Sequence, residues 1–207
     1  GEEVEVNASG RTDAGVHALG QVANFKTNSK IEIEKMAYAI NSKLKKSIRI
    51  KKAEEVDLDF HSRYKCKEKT YRYIINNSEQ GTAIYRGLEY QVSQKLDLEK
   101  MKKAIKHFVG EHDFKGFKAS GTSSKSSVRT IYKAEVEQQG ERIIIELTGN
   151  GFLYNMVRII SGTIVEVGLG KINPDEIPEI IKSKNREKAG KTLPPQGLYL
   201  VEVMYDK

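Results

Sequence analysis

The densest chemical signal in the sequence is the run Gly10-Arg11-Thr12-Asp13-Ala14-Gly15-Val16-His17. An Arg and an Asp stand two residues apart between two glycines, whose missing side chains open backbone conformations closed to other residues. A carboxylate held beside a cation stays ionised, and a fixed, ionised carboxylate can act as base or nucleophile. The same spacing also fits an Asx-type turn in which Asp13 bonds only local backbone. His17, next to Val16, reads as a residue that fixes the loop. His61, His107 and His112 have no metal-ligand spacing. The single cysteine, Cys66, excludes an intrachain disulfide and argues against a cysteine-rich zinc site. Neither Gly149-Asn150-Gly151 nor Gly168-Leu169-Gly170 is a dinucleotide or phosphate-loop fingerprint.

Two basic clusters suggest what such a loop would act on. Between Phe60 and Arg72 lie Arg63, Lys65, Lys67, Lys69 and Arg72 against one acid, Glu68. Between Lys115 and Lys133 lie Lys115, Lys118, Lys125, Arg129 and Lys133 with no acid at all. Separated basic clusters on a chain of net charge +7 suit a phosphate backbone, although solvated charged faces give the same pattern. Apolar residues make up 38% and charged residues 30% of the 207, the balance of a soluble globular chain. No apolar run approaches the roughly 18 residues of a membrane span, and the first residues lack a basic-then-apolar signal pattern. These features point to a cytoplasmic protein with no membrane partner.

The elements that must position the loop are legible as periodicities. Strands are predicted over Val4–Ala8, Gln21–Lys26, Ile48–Glu54, Thr70–Ile75, Ile131–Glu137, Arg142–Thr148 and Leu198–Tyr205. Three apolar stripes have helical spacing. The first is Ile33, Met36, Ala37, Ile40 and Leu44. The second is Leu98, Met101, Ile105, Phe108 and Val109, with Asp97 as N-cap. The third is Met156, Ile159, Ile160, Thr163, Ile164 and Val167, ended by Gly168. A short fourth helix is expected after Pro174. Residues 119–127, nearly all Ser, Gly, Thr and Lys, read as a mobile loop. Segregated strands and helices favour an α+β protein with a mainly antiparallel central sheet. A break near Phe60–Tyr64 divides it into residues 1–64, which carry the loop, and residues 65–207.

The sequence resembles the tRNA pseudouridine synthase A family over nearly its whole length. Gly10 to Ala18, continued by Gly20-Gln21-Val22, looks like that family's catalytic loop. Phe60-His61-Ser62-Arg63 followed by Lys69-Thr70-Tyr71-Arg72-Tyr73 looks like its entry to the second subdomain. Gly110-Glu111-His112-Asp113-Phe114 with Phe117 matches a further segment. Asn150-Gly151-Phe152 with Asn155-Met156-Val157-Arg158 resembles its active-site helix, and Gly197-Leu198-Tyr199-Leu200 its closing strand.

The resemblance implies a pseudouridine synthase fold, with two ferredoxin-like halves sharing the sheet and a cleft between them. It implies a homodimer that binds tRNA and isomerises uridine without cofactor or metal. The implied targets are uridines of the anticodon stem-loop, at about positions 38–40, which must leave the base stack to be reached. Asp13 becomes the nucleophile, attacking C6 of the base or C1′ of the ribose. Arg11 contacts the RNA backbone or fills the space of the flipped base, and Arg158 pairs with Asp13. The helical wheel supports that pairing, because Arg158 shares a face with Ser161, Gly162 and Val165 rather than with the apolar stripe. Tyr71 sits against the base and Tyr73 belongs to the sheet core. Phe152 and Leu198 line the pocket. Arg63, Lys67, Lys69, Lys118, Lys125 and Arg129 are the expected RNA contacts.

One departure stands out. The family begins with a strand and helix carrying a Tyr-Asp-Gly segment that this sequence lacks, so a shortened form of uncertain activity is expected. Two other functions fit the same residues: a non-catalytic RNA-binding module of this fold, or a nucleoside hydrolase using Asp13.

Overall fold

A computed structural model describes residues 2–121 and 126–206. The middle of the loop expected over residues 119–127 lies outside the described residues. The chain separates into two compact units. One comprises Gly1–Ser9 and Val22–Lys65, the other Gly10–Gln21 and Cys66–Lys207.

In the smaller unit, β1 (Asn7–Ala8) pairs antiparallel with β3 (Ala23–Asn24). Both strands are far shorter than the alternation predicts. The segment after them is held by side chains. The Asn24 amide donates to the Phe60 carbonyl and accepts from the Ser62 N–H, and the Ser62 hydroxyl donates to the Asn7 carbonyl at 2.6 Å. Helix α1 (Ile33–Asn41) turns its Ile33, Met36, Ala37 and Ile40 stripe to the half-buried side. The strand predicted over Ile48–Glu54 is not formed. Instead the Ile50 N–H and carbonyl both bond the Asn41 side chain, at 2.7 and 2.8 Å, and that uses the backbone groups a ladder would need.

The larger unit is built on one sheet. Strand β2 (His17–Ala18) is followed across the sheet by β9 (Leu198–Tyr205), β4 (Cys66–Asn76), β8 (Arg142–Gly149), β7 (Val128–Gln139) and β6 (Gly110–Asp113). A two-residue strand β5 (Tyr90–Gln91) adds to β4. The long pairings β4–β8, β4–β9, β7–β8 and β6–β7 are antiparallel, and β2–β9 and β4–β5 are parallel. The unit is therefore α+β with a mainly antiparallel sheet.

Side chains alternate across a pleated strand. That puts Tyr73 and Ile75 of β4, and Ile143, Ile145 and Leu147 of β8, on one buried face. Helix α2 (Leu98–Ile105) covers this face with Met101, Ala104 and Ile105, and α3 (Met156–Gly168) with Ile159, Ile160 and Ile164. Each of these Ile and Met side chains contributes roughly 1.5–3 kcal/mol on burial. Asp97 caps α2 by accepting from the Lys100 N–H. The helix then tightens into a 3-10 turn at Lys106–Phe108, which carries Val109 off the predicted stripe and into solvent. Helix α4 (Ile177–Ser183) follows Pro174.

Residues 10–21 belong to the larger unit, whereas a boundary at residue 64 assigns them to the first. The reason is backbone pairing. His17 and Ala18 lie in register with Tyr199 and Leu200, and the Leu19 and Gly20 N–H groups both donate to the Leu200 carbonyl.

Candidate active site

The loop ahead of β2 is shaped by a tight turn. The Val16 N–H donates to the Asp13 carbonyl at 3.0 Å, and Gly15, the third residue of the turn, has φ +84°. A positive φ there is what a type II turn demands and what glycine supplies without steric cost. Gly10, the other glycine of the run, has no such φ. His17 anchors the end of the loop. Its ring stacks on Tyr199 with centroids 4.8 Å apart, and its Nε2 is 3.0 Å from the Gly87 carbonyl oxygen. The Tyr199 hydroxyl in turn donates to the Leu88 carbonyl.

Held this way, Asp13 faces Arg158 in the first turns of α3. Arg158 Nη1 donates to Asp13 Oδ2 at 3.0 Å. The same nitrogen donates to Asn155 Oδ1 at 2.7 Å, and Nε donates to the Leu193 carbonyl at 2.7 Å. The guanidinium is thus fixed by two neutral acceptors and one carboxylate. Only 14% of the Arg158 side chain is exposed, against 34% for Asp13, so the pair is shielded on the arginine side and open on the carboxylate side. Among the described residues, Asp13 Oδ1 has no hydrogen-bond partner.

The irregular segment that supplies the Leu193 carbonyl approaches α3 at a glycine. A Cβ at Gly162 would stand 1.9 Å from the Lys191 carbonyl oxygen. Arg186 braces this stretch by donating to the Ala189 and Gly190 carbonyls and to the Thr192 hydroxyl.

Asp13 opens into a cavity of about 220 Å³. Arg11, Tyr71, Phe152, Arg158 and Leu198, predicted from the sequence, all line it with Asp13. Thr12, Val16, Leu153, Tyr154, Asn155, Met156 and Val157 complete the wall. Tyr71 meets Phe152 edge to face, with centroids 5.2 Å apart. Burial, and secondarily the charge of Asp13 and Cys66, pushes the Tyr71 phenol up to about 12. The cavity therefore presents the neutral Tyr71 hydroxyl and the rings of Tyr71, Phe152 and Tyr154 beside one carboxylate and two arginines. Tyr73 lies fully buried behind it, its hydroxyl donating to the Pro194 carbonyl at 2.7 Å.

The expected RNA contacts are scattered. Lys69 and Arg129 flank the site within the larger unit: a Cβ at Gly10 would lie 3.3 Å from Lys69 Nζ, and one at Gly151 would lie 3.7 Å from Arg129 Nε. Arg129 Nη1 donates to the Ser126 and Val128 carbonyls, which fixes the side chain at the start of β7. Lys118 is half-buried, and Lys67 pairs with Asp206 at 2.9 Å on the surface. Arg63, in the smaller unit, lies over the Tyr64 ring. Lys125 lies outside the described residues.

The sequence matches the family model described as tRNA pseudouridine synthase over residues 1–65 and 104–206. It is 55% identical over 205 residues to the tRNA pseudouridine synthase A of Acetivibrio thermocellus, covering 99% of this chain and 84% of that protein. The proteins of the same name from a Thermoanaerobacter species and from Geotalea uraniireducens are 52% and 47% identical with the same coverage. The chain belongs to the tRNA pseudouridine synthase family. Membership makes the protein an isomerase. Both the loop around Asp13 and the helix that carries Arg158 fall inside the matched ranges. Among the described residues, no helix is long and apolar enough to cross a membrane.

Sequence reasoning missed two parts of this family member's site. Asn155 sits where a helix N-cap is expected, and only its contact with Arg158 reveals a different use. The Leu193 carbonyl is backbone and leaves no mark in residue type.

Proposed function

We propose that this protein converts uridine to pseudouridine in tRNA, with Asp13 as nucleophile. The observation that carries the reading is the Asp13 carboxylate, held through Oδ2 by Arg158 and opening into a cavity walled by Tyr71 and Phe152. A carboxylate with one oxygen engaged and the other free is a suitable nucleophile. A cavity with aromatic walls and polar groups at its edge suits a uracil ring withdrawn from its stack.

In the reaction, Asp13 bonds transiently to C1′ of the ribose or to C6 of the base, and the N1–C1′ bond breaks. The base turns, C5 bonds to C1′, and the C5 proton leaves as N1 regains one. Product and substrate therefore have the same atoms. Tyr71 stacks on the base, Phe152 and Leu198 bound it, and Arg11 takes the RNA backbone or the place of the flipped nucleotide. The substrate uridines lie in the anticodon stem-loop. Arg63, Lys67, Lys69, Lys118, Lys125 and Arg129 contact phosphates, and a homodimer in the cytoplasm holds one tRNA across both copies. Family membership supports the reaction class, and the charged pair beside the aromatic cavity supports Asp13.

Incubating the protein with uridine-labelled tRNA and resolving the digested nucleosides tests the proposal. Labelled pseudouridine is expected. Free uracil would identify a nucleoside hydrolase, and unchanged uridine with tight tRNA binding would identify a non-catalytic binding module.

A further inference from the structure

Asn155 breaks the rule for its position. It immediately precedes α3, with φ 60° and ψ 7°, in the left-handed region. Among the described residues only Asn155 and Lys184 adopt a positive φ without being glycine. Asparagine tolerates this conformation better than most side chains. An asparagine before a helix ordinarily turns its side chain onto the free N–H groups of the first turn, a cap worth about 1 kcal/mol. Here the side chain makes no capping bond. Its Oδ1 accepts from Arg158 Nη1 at 2.7 Å instead.

That exchange matters because Nη1 carries two hydrogens. One is directed at Asn155 and the other at Asp13, while Nε is spent on the Leu193 carbonyl. The other titratable side chains lining the same cavity are Arg11, Tyr71 and Tyr154. Asn155 is therefore the side chain that sets the direction of the remaining Nη1–H bond, and so the position of the carboxylate. A neutral amide suits this role, because it orients the guanidinium without competing for its charge.

Resting on the reading of Asp13 as nucleophile, we propose that Asn155 is a positioning residue that acts through Arg158, giving up its helix-capping role to aim the guanidinium at Asp13. It touches neither the reacting bond nor, by this reading, the tRNA phosphates. Its loss should therefore lower kcat and leave KM nearly alone. A misplacement of about 1 Å in such a constellation costs up to roughly 10²-fold.

The test is a double-mutant cycle. Asn155→Gly keeps the left-handed backbone open and deletes the acceptor. Asn155→Asp keeps both the backbone tolerance and the acceptor but adds a charge. Each is measured in wild-type and Arg158→Ala backgrounds, with melting temperatures. The expected results are a roughly 10- to 10²-fold fall in kcat for Asn155→Gly at unchanged KM, and no further fall when it is added to Arg158→Ala. Asn155→Asp should recover part of the loss at alkaline pH, with its acidic limb displaced to higher pH, because two carboxylates on one guanidinium ionise less readily. Equal fractional losses in both backgrounds, a loss confined to KM, or wild-type kcat in Asn155→Gly would each overturn the proposal. If the glycine variant melts too low to assay, the aspartate variant's pH profile decides alone: a profile superimposable on wild type overturns it. Asp13→Asn run in parallel separates the two readings, since substantial turnover there removes the nucleophile assignment whatever the cycle gives.

Discussion

Arg158 and Asp13 lie 145 residues apart in the chain and 3.0 Å apart in space. Arg158→Ala removes the donor to Asp13 and leaves Asn155 Oδ1 and the Leu193 carbonyl without theirs. Turnover should fall by about 10²-fold or more while tRNA affinity stays within a few-fold. Arg158→Lys should recover only part, because one ammonium cannot reproduce a fork that serves three acceptors. Single-turnover rates and filter binding on the same preparations check this. Weakened binding with unchanged turnover would make Arg158 a phosphate contact.

Asp13→Asn keeps the shape of the side chain and removes its nucleophilic charge. Pseudouridine formation should drop by about 10⁴-fold or more, in line with loss of a nucleophile, with tRNA affinity within a few-fold of wild type. Tritium release from C5-labelled uridine provides the measurement, and residual turnover near wild type would exclude Asp13 as the attacking group.

Tyr71 separates ring from hydroxyl. Tyr71→Phe should bind and turn over tRNA nearly normally, while Tyr71→Leu loses the stacking face, worth roughly 1–3 kcal/mol per base. Equal damage from both would assign the function to the hydroxyl.

The raised phenol also sets a pH dependence of stability. An unfolded tyrosine ionises near pH 10, while Tyr71 in the fold ionises at about 12 because it is buried. Between those values the unfolded chain has released a proton that the native state still holds. The stability this contributes is complete below about pH 10 and lost as pH rises toward about 12. Tyr73, raised for the same reason, adds to the trend. Urea midpoints from pH 9 to 12 should fall steeply in wild type and less steeply in Tyr71→Phe.

The phosphate contacts predict a salt effect. tRNA affinity should weaken linearly in log–log form with salt, and Lys69→Gln or Arg129→Gln should each lower the slope by about one unit. Lys102→Gln serves as control, since Lys102 pairs with Glu99 along α2. Slopes that do not change would show that Lys69 and Arg129 make no phosphate contact.

The sequence carried much of this architecture because long elements advertise themselves. The β4, β7, β8 and β9 cores and the α2 and α3 stripes repeat their apolar residues often enough to be read. What escaped was short or backbone-borne. Two residues of parallel strand at His17–Ala18 have no periodicity, yet they decide which unit holds the loop. The alternation at Ile48–Glu54 looked like a strand, but Asn41 took the backbone groups of Ile50. Alternation alone puts Tyr71 and Tyr73 on one strand face and does not separate them; in the fold Tyr71 lines the cavity and Tyr73 is fully buried.

The parallel pairing of His17–Ala18 with Tyr199–Leu200 has a consequence for the order of events during synthesis. Residue 13 emerges from the ribosome long before residue 199, and until then its loop has no strand to lie against. Contacts of such sequence separation form late, after the loop-closure entropy has been met. A growing chain can thus assemble the β7–β8 hairpin and seat α3 while Asp13 is still unplaced. On this order the Asp13 carboxylate is organised last, by the same strand that links His17–Ala18 to the rest of the sheet.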